Sequence, residues 1–384
     1  MRRYISWISL AAVAVVVPMT GAHAQGTLST QGFGYPPGQF STRALATGGG
    51  IAEFDADSPL NPAAIALSGE PRMFLQYSPE FRKLTNGSST ANTTTSRFPL
   101  VGASVPIGSH ASIGASASTF LDRSSTTTIT REQEVAGTIT TVTETTRLLG
   151  AINDLRIAFG YAPSAKFQIG IAGHAYTGQN RVFFDQTFPD SLKFSAISQV
   201  STLGFTGYAG SAGVLIRPSR NIGFAFSGRK GGKIDARSAS DSTVSSANIP
   251  DRFGAAFAYE GIPGSSISVH ASRDLWSKMD GLTTSSSTAV DTWEGGVGVE
   301  SLGPRFLERQ TVLRLGARYR TLPYLAAGSK VNELTFAGGI GTQFFRNRAT
   351  FDIGLERASR TPELSSVAAR ERAYILSFGL RVRP

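Results

Sequence analysis

Few residues in this chain have chemistry within reach. Its 384 residues include no cysteine and 4 histidines, which removes disulfides and thiolate metal sites at once. No group of His, Asp and Glu has zinc spacing, so no metal is expected. Gly48-Gly49-Gly50 lacks the Gly-Lys-Ser/Thr ending of a phosphate loop and follows no strand pattern. One pair has the types and spacing of a base and a nucleophile on one strand face, His270 and Ser272. Ile267, Val269 and Leu275 take the alternate phase of that strand, so His270 and Ser272 face the protein interior beside Asp274. They read as polar groups of an inner wall, and neither an enzyme nor a bound cofactor is expected.

Two further sets concern binding. Arg314, Arg318, Arg320, Glu333, Asp352 and Glu356 all lie opposite the apolar phase of consecutive strands. They are expected to meet inside the protein, pairing with each other and with an inserted segment, or receiving an anionic head group. The second set is Val182, Phe183, Phe184, Phe188, Leu192 and Phe194, dense in large apolar groups for a connection that should face water. Such clusters mark binding surfaces. Two readings stand for it, a capture site for hydrophobic ligands and a lid packed into a mouth.

The elements that carry these residues repeat one pattern. Between Val331 and Ala358, Leu334, Phe336, Ile340 and Phe344 alternate with Glu333, Thr335, Gly339 and Gln343; after a minimal turn Phe351, Ile353 and Leu355 alternate with Asp352, Gly354 and Glu356. This is a β-hairpin of period two. About fourteen such segments run from Arg72 to Val382. Connections such as 108–110, 163–165, 218–220, 261–264 and 346–348 are short. Long ones alternate with them, including 79–97, 122–150, 178–202 and 230–251. Strands of alternating polarity with short and long connections in turn predict an all-β, transmembrane antiparallel barrel, short turns facing the periplasm and long loops outside. Phe253, Tyr259, Tyr161, Tyr319 and Tyr374 end apolar faces where an interfacial girdle would lie. Ser124 to Thr146 reads as a hairpin extension turning at Ala136-Gly137.

Composition and ends agree. Glycine is high at 42 and charged residues low at 17%, as suits tightly turned strands. Residues 1–24 read as a secretion signal, with Arg2 and Arg3, an apolar run from Ala11 and the cleavage pattern Ala22-His23-Ala24. Residues 25–70 show no strand pattern and are expected to fill the lumen as a hatch, with 71–384 forming the barrel. The net charge of +10 is scattered rather than gathered in a patch, so nucleic acid is not an expected partner. The expected partners are a hydrophobic small molecule and outer-membrane lipid, and the barrel is expected to be monomeric.

Several motifs then carry a family resemblance. Arg43-Ala44-Leu45-Ala46-Thr47-Gly48-Gly49-Gly50 followed by Asn61-Pro62-Ala63, together with Pro250-Asp251-Arg252-Phe253-Gly254, Asp274-Leu275-Trp276-Ser277 and Leu313 to Arg320, resembles the FadL-type outer-membrane transporters of long-chain fatty acids and aromatic hydrocarbons. The resemblance implies a fourteen-stranded barrel plugged by an N-terminal hatch whose motif is Asn61, Pro62 and Ala63. It implies passive import of hydrophobic molecules without metal or cofactor. It also implies a sideways exit near the second and third strands, where Pro99, Pro106 and the small residues of Ala111–Ser118 should make the weakest wall. An Asn-Pro-Ala motif also occurs in barrels that serve as secretion scaffolds. A structural or secretion-partner barrel therefore stays as the alternative, with a lipid-modifying barrel enzyme behind it.

Overall fold

The computed structural model describes residues 33–67, 69–87, 89–135, 138–189, 195–283, 288–306, 309–345, 348–364 and 369–384. The expected secretion signal, residues 1–24, lies outside them. Sixteen strands are present: β1 (Arg72–Asn86), β2 (Ser89–Ile107), β3 (Ala111–Asp122), β4 (Ser125–Val135), β5 (Thr138–Ser164), β6 (Phe167–Thr187), β7 (Ile197–Ile216) and β8 (Ile222–Ser238), followed by β9 (Thr243–Asn248), β10 (Arg252–Ile262), β11 (Ser265–Asp274), β12 (Thr292–Phe306), β13 (Arg309–Ala326), β14 (Ser329–Phe344), β15 (Ala349–Pro362) and β16 (Ala369–Val382). Fourteen of them close an antiparallel barrel, sealed where β16 pairs with β1. The two extra strands sit outside the ring at the long-loop end: β4 folds back on β5, and β9 on β8. Every segment expected as a strand is found.

The barrel is inside-out relative to a water-soluble domain. Phe336, Leu355, Leu315 and Ile171 are more than half exposed on its outer wall, whereas Glu333, Thr335, Asp352 and Glu356 are buried in its lumen. That polarity suits a wall facing hydrocarbon, where strand edges must be paired within the protein. Tyr161, Phe253, Tyr259, Tyr319 and Tyr374 are all exposed on the outer wall.

The strands outrun their sequence pattern at the long-loop end. Residues expected as loops at 79–97, 122–150 and 178–202 are largely ladder: β1 and β2 pair as far as Asn86 and Ser89, and β6 continues to Thr187. Above the membrane both faces of a strand meet water, so the apolar alternation stops while β-branched threonines, as in Thr93-Thr94-Thr95, still favour extended backbone. The expected extension between Ser124 and Thr146 is the β4–β5 hairpin, its turn at 136–137 lying outside the described residues. In the other direction, Trp276 does not end a strand. β11 stops at Asp274, and Trp276 opens a 3-10 turn, Trp276–Leu282, whose Trp276, Met279 and Leu282 are buried in the barrel mouth.

Residues 33–67 run inside the barrel. They contain one short helix, α1 (Thr42–Ala46), capped by the Ser41 hydroxyl on the Ala44 N–H, and a 3-10 turn, Pro62–Leu67. The inner wall they touch is made of glycine. A Cβ on Gly316 would lie 2.2 Å from the Thr47 carbonyl carbon, one on Gly170 2.3 Å from that of Pro62, and one on Gly213 2.0 Å from Asn61 Oδ1. Gly48 needs a positive φ of 58° and packs on the Ala317 backbone, so a side chain is excluded there on both counts. These wall glycines therefore allow the plug to approach the wall closely. Gly316→Val should displace the plug while the barrel still forms: heat-modifiable migration on gels is retained and leakage of small hydrophilic dyes rises severalfold. The outward Gly210→Ala should leave leakage unchanged.

Candidate functional site

The lumen is organised around one plug side chain. Tyr35 is 2% exposed, and its ring is stacked on all sides by guanidinium groups, Arg360 at 4.5 Å, Arg320 at 5.0 Å, Arg82 at 5.2 Å and Arg97 at 5.4 Å from the ring centre. Its hydroxyl donates to Glu333 Oε2 (3.0 Å) and accepts from Arg360 Nη2 (2.8 Å) and from Arg320. Carboxylates neutralise the cage: Glu80 accepts from Arg82, Arg97 and Arg360, and Glu333 from Arg320 and Arg360. Burying this many charges is tolerable only because each cation is bonded to an acid, and the ring adds an electron-rich face to four cations.

The six residues expected as a lumen network are all buried and all paired. Arg314 bridges Glu300 and Asp352 at 2.6 Å each, Arg318 reaches Glu356 at 3.1 Å, and Arg320 reaches Glu333 at 2.7 Å. The plug joins in, Arg43 donating to Glu300 (2.8 Å). Reading β15 as ending at Glu356 hid the most buried member of the network. Arg360 is four residues beyond Glu356 on the same phase, as Glu356 is beyond Asp352, and Glu371 answers it from β16. Tyr35, Glu80 and Arg97 carried no period-two signal that set them apart.

Asn61 is fully buried under the plug, its Nδ2 directed at the carbonyl oxygens of Phe226 (3.4 Å) and Val214 (3.5 Å), while Oδ1 accepts from the Ala63 N–H (3.0 Å). Pro62 opens the 3-10 turn, and Ala63 is buried among wall atoms. Elsewhere His270 and Ser272 both face inward. His270 Nε2 accepts from Arg252 (3.3 Å) beside plug residue Glu53, and its Nδ1 lies 3.9 Å from Glu294 Oε1 without a hydrogen bond. A tighter set sits on β5, β6 and β7: His174 Nδ1 is 2.9 Å from Asp154 Oδ1 and Nε2 is 2.8 Å from Ser211 Oγ. Asp154 also accepts from plug residue Gln39 (2.7 Å), so this set is a second polar tie between plug and wall.

The apolar connection resolves differently from its expected form. Phe183 and Phe184 belong to β6, paired with Arg147 and Thr146 of β5, and as neighbours on a strand they point to opposite faces. The Arg147 guanidinium lies 4.6 Å above the Phe183 ring. Phe188 is half-buried beyond the strand end; Leu192 and Phe194 lie outside the described residues. One capture face cannot hold both Phe183 and Phe184. The apolar surface at the mouth is instead assembled from Phe120, Tyr176, Phe205, Trp276, Leu322 and Tyr324, with Phe120 stacked on Trp276 at 5.1 Å. These come from four strands, β3, β6, β7 and β13, and from the 3-10 turn, and no local pattern joins them.

The wall between β2 and β3 is incomplete. Their ladder is regular from Ile107↔Ala111 to Leu100↔Ser118, past Pro106 and through the whole small-residue run, and there it stops. The weak point therefore lies above Ala111–Ser118 rather than within it. Beyond Ser118, β3 has a bulge between Thr119 and Leu121, and its exposed edge is met by the plug: Tyr35 and Asp122 exchange N–H···O bonds of 2.7 and 2.9 Å. Arg97 of β2 reaches across to Asp122 at 2.6 Å. The plug thus closes a gap that the barrel leaves open.

The sequence matches no family model and no curated protein. Solved structures do match along most of the chain. A FadL homologue from Pseudomonas aeruginosa has a TM-score of 0.65 at 13% identity, covering 91% of this chain and 99% of its own. The CymD monoaromatic hydrocarbon channel has a TM-score of 0.57 at 12% identity (90% and 97% covered), and the toluene transporter TodX of P. putida 0.54 at 12% (89% and 97%). This chain shares their fold.

Tyr35→Phe keeps the stacked ring and removes only the hydroxyl bonds to charged partners, each worth about 1.5–3 kcal/mol. Amide hydrogen exchange at Tyr35 and Asp122 should speed up by at least about tenfold, with exchange across the β14–β15 ladder unchanged. Equal protection in the variant would show that the cage does not hold the plug.

Proposed function

We propose that this chain is an outer-membrane importer that lets hydrophobic small molecules, long-chain fatty acids or similar hydrocarbons, pass down their gradient without a chemical step and as a single barrel. One observation carries the reading. The seam between β2 and β3, whose ladder stops at Leu100↔Ser118 while both strands run on, is met at its open edge by a plug residue rather than by the barrel itself. A gap closed in this way can open when the plug residue leaves and widen as the β2–β3 rungs just below it part. A hydrophobic solute reaching it from the lumen meets bilayer rather than water, so its transfer is favourable by the hydrophobic effect.

The rest of the site supports the same route. The apolar mouth around Phe120, Trp276 and Leu322 offers a collecting surface directly above Tyr35 and Gln39, and Phe120 belongs to the bulged stretch of β3 itself. The shared fold includes proteins described as a toluene transporter and a monoaromatic hydrocarbon channel, which supports a hydrophobic cargo here. Asn61, Pro62 and Ala63 then act as the hatch motif, holding the plug's lower turn on the carbonyls of β7 and β8. The Arg314, Arg318, Arg320, Glu333, Asp352 and Glu356 network acts as the plug's mounting. Of the apolar connection, Phe184, on the inward phase of β6, takes the capturing role.

Val101 and Ala117 are direct cross-strand partners just below the open edge, within disulfide reach for paired strands. Since the chain has no cysteine, Val101→Cys with Ala117→Cys gives a single clean bridge. Uptake of a hydrophobic probe by cells expressing the bridged protein should fall and return on reduction. Normal uptake with the bridge formed would sink the sideways route.

A further inference from the structure

Cations that take no part in the lumen gather at one place on the outside. At the short-turn end Arg305, Arg309, Arg348 and Arg383 form an arc across β12 to β16, the first three exposed and Arg383 partly so. Short contacts join its members. Arg309 Nη1 donates to the Gln343 carbonyl (3.0 Å) with its guanidinium 5.2 Å over the Phe344 ring, the Arg348 N–H donates to the Phe345 carbonyl (3.3 Å), and the Arg383 N–H to that of Arg348 (2.7 Å). Among the described residues the arc contains one ion pair, Arg383 with Glu70 at 3.3 Å, which is open to water. Glu308 and Arg346, in the same turns, lie outside the described residues. Elsewhere along this rim the cations stand apart, Lys166 and Arg220 singly and Arg217 facing Glu260 at 3.8 Å.

Strand register sets the height of the arc. On the outer wall beside it the lowest apolar rung is made by Phe344 and Val382, each across from Ala349, with Met73 across from Val382. Val382 and Met73 are exposed. Phe345, Arg348 and Arg383 each adjoin a member of that rung, so the arc stands where hydrocarbon gives way to headgroups. Phe345 points the same way. Its ring is 76% exposed and its backbone has a φ of 48°, in the left-handed region that a bulky residue rarely takes. Glycine or asparagine would fill that turn position with less strain. A large aromatic held outward beside arginines is explained by what it meets outside the protein, acyl chains for the ring and phosphate for the guanidinium groups.

We propose that this arc binds an anionic phospholipid of the periplasmic leaflet, its phosphate held by Arg309, Arg348 and Arg383 and its acyl chains packed on Phe345. The short turns of such barrels face the periplasm, which places the arc at that leaflet. Net charge on the headgroup decides the preference, since a zwitterionic lipid carries its own ammonium and is attracted less by a basic surface. Lumen, plug and cargo take no part, so the site does not depend on the import reading.

The test uses the purified full chain in an uncharged detergent and two lipids that share their tails, dioleoylphosphatidylglycerol and dioleoylphosphatidylcholine. The unaltered protein should bind phosphatidylglycerol at least about tenfold more tightly, and the preference should fade as salt is raised. Arg348→Gln with Arg383→Gln should remove most of the preference, each arginine accounting for about fivefold, whereas Phe345→Ser should weaken both lipids alike. Lys166→Gln with Arg220→Gln, on the far side of the same rim, should change neither. Heat-modifiable migration on gels checks that each variant is folded. Equal binding of the two lipids by the unaltered protein, or a preference that survives intact in Arg348→Gln with Arg383→Gln, overturns the inference. Two further results would also overturn it. Displacement of phosphatidylglycerol by an equal concentration of glycerol 3-phosphate would mean that the arc takes a soluble phosphate, and binding of polyglutamate in place of either lipid would assign it to an acidic protein.

Discussion

Peptide groups facing hydrocarbon must find their partners within the protein, and the architecture follows from that requirement. The β16–β1 ladder meets it for the ring as a whole, pairing Met73 with Val382 at one end and Asn86 with Ala369 at the other. It is not met where β2 leaves β3 above Leu100 and Ser118. There the plug supplies the missing strand for one residue, Tyr35 bonding both backbone groups of Asp122. A single residue is a weak seal compared with a ladder, and the chain compensates by clamping that residue's side chain rather than its backbone.

The clamp explains why so much charge is buried. Four guanidinium groups around one phenol would repel each other strongly, and Glu80, Glu333 and Glu371 make the arrangement neutral enough to hold. Such a cage is specific in geometry: it fixes Tyr35 at one height in the barrel, which in turn fixes the seal at the open edge of β3. Further along the plug the contact changes character. Thr47 to Gly48 and Pro62 to Ala63 lie backbone to backbone on wall glycines, and the Asn61 side chain lies on Gly213. The plug is thus held by the cage at Tyr35 and, further along, by close packing together with the ion pairs of Arg43 with Glu300, Glu53 with Arg252 and Asp57 with Arg381. A disturbance of the cage can therefore free the seal without unseating the remainder.

The sequence by itself determined the barrel, its strand count and which faces point outward, because period-two alternation at membrane depth is imposed by solvent on both sides of a wall and needs no knowledge of neighbours. It also determined that Arg314, Arg318, Arg320, Glu333, Asp352 and Glu356 meet in the lumen, since phase alone decides inward or outward. It misjudged where strands end, at Glu356 and at Trp276, because above the bilayer both faces meet water and the alternation carries no information. Only the tertiary structure decided what depends on contacts far apart in the chain. Tyr35 meets Arg360 across 325 residues, and the mouth cluster gathers side chains from separate strands. Pairing across a lumen depends on strand stagger and on the path of the plug, and neither leaves a local trace in composition or spacing.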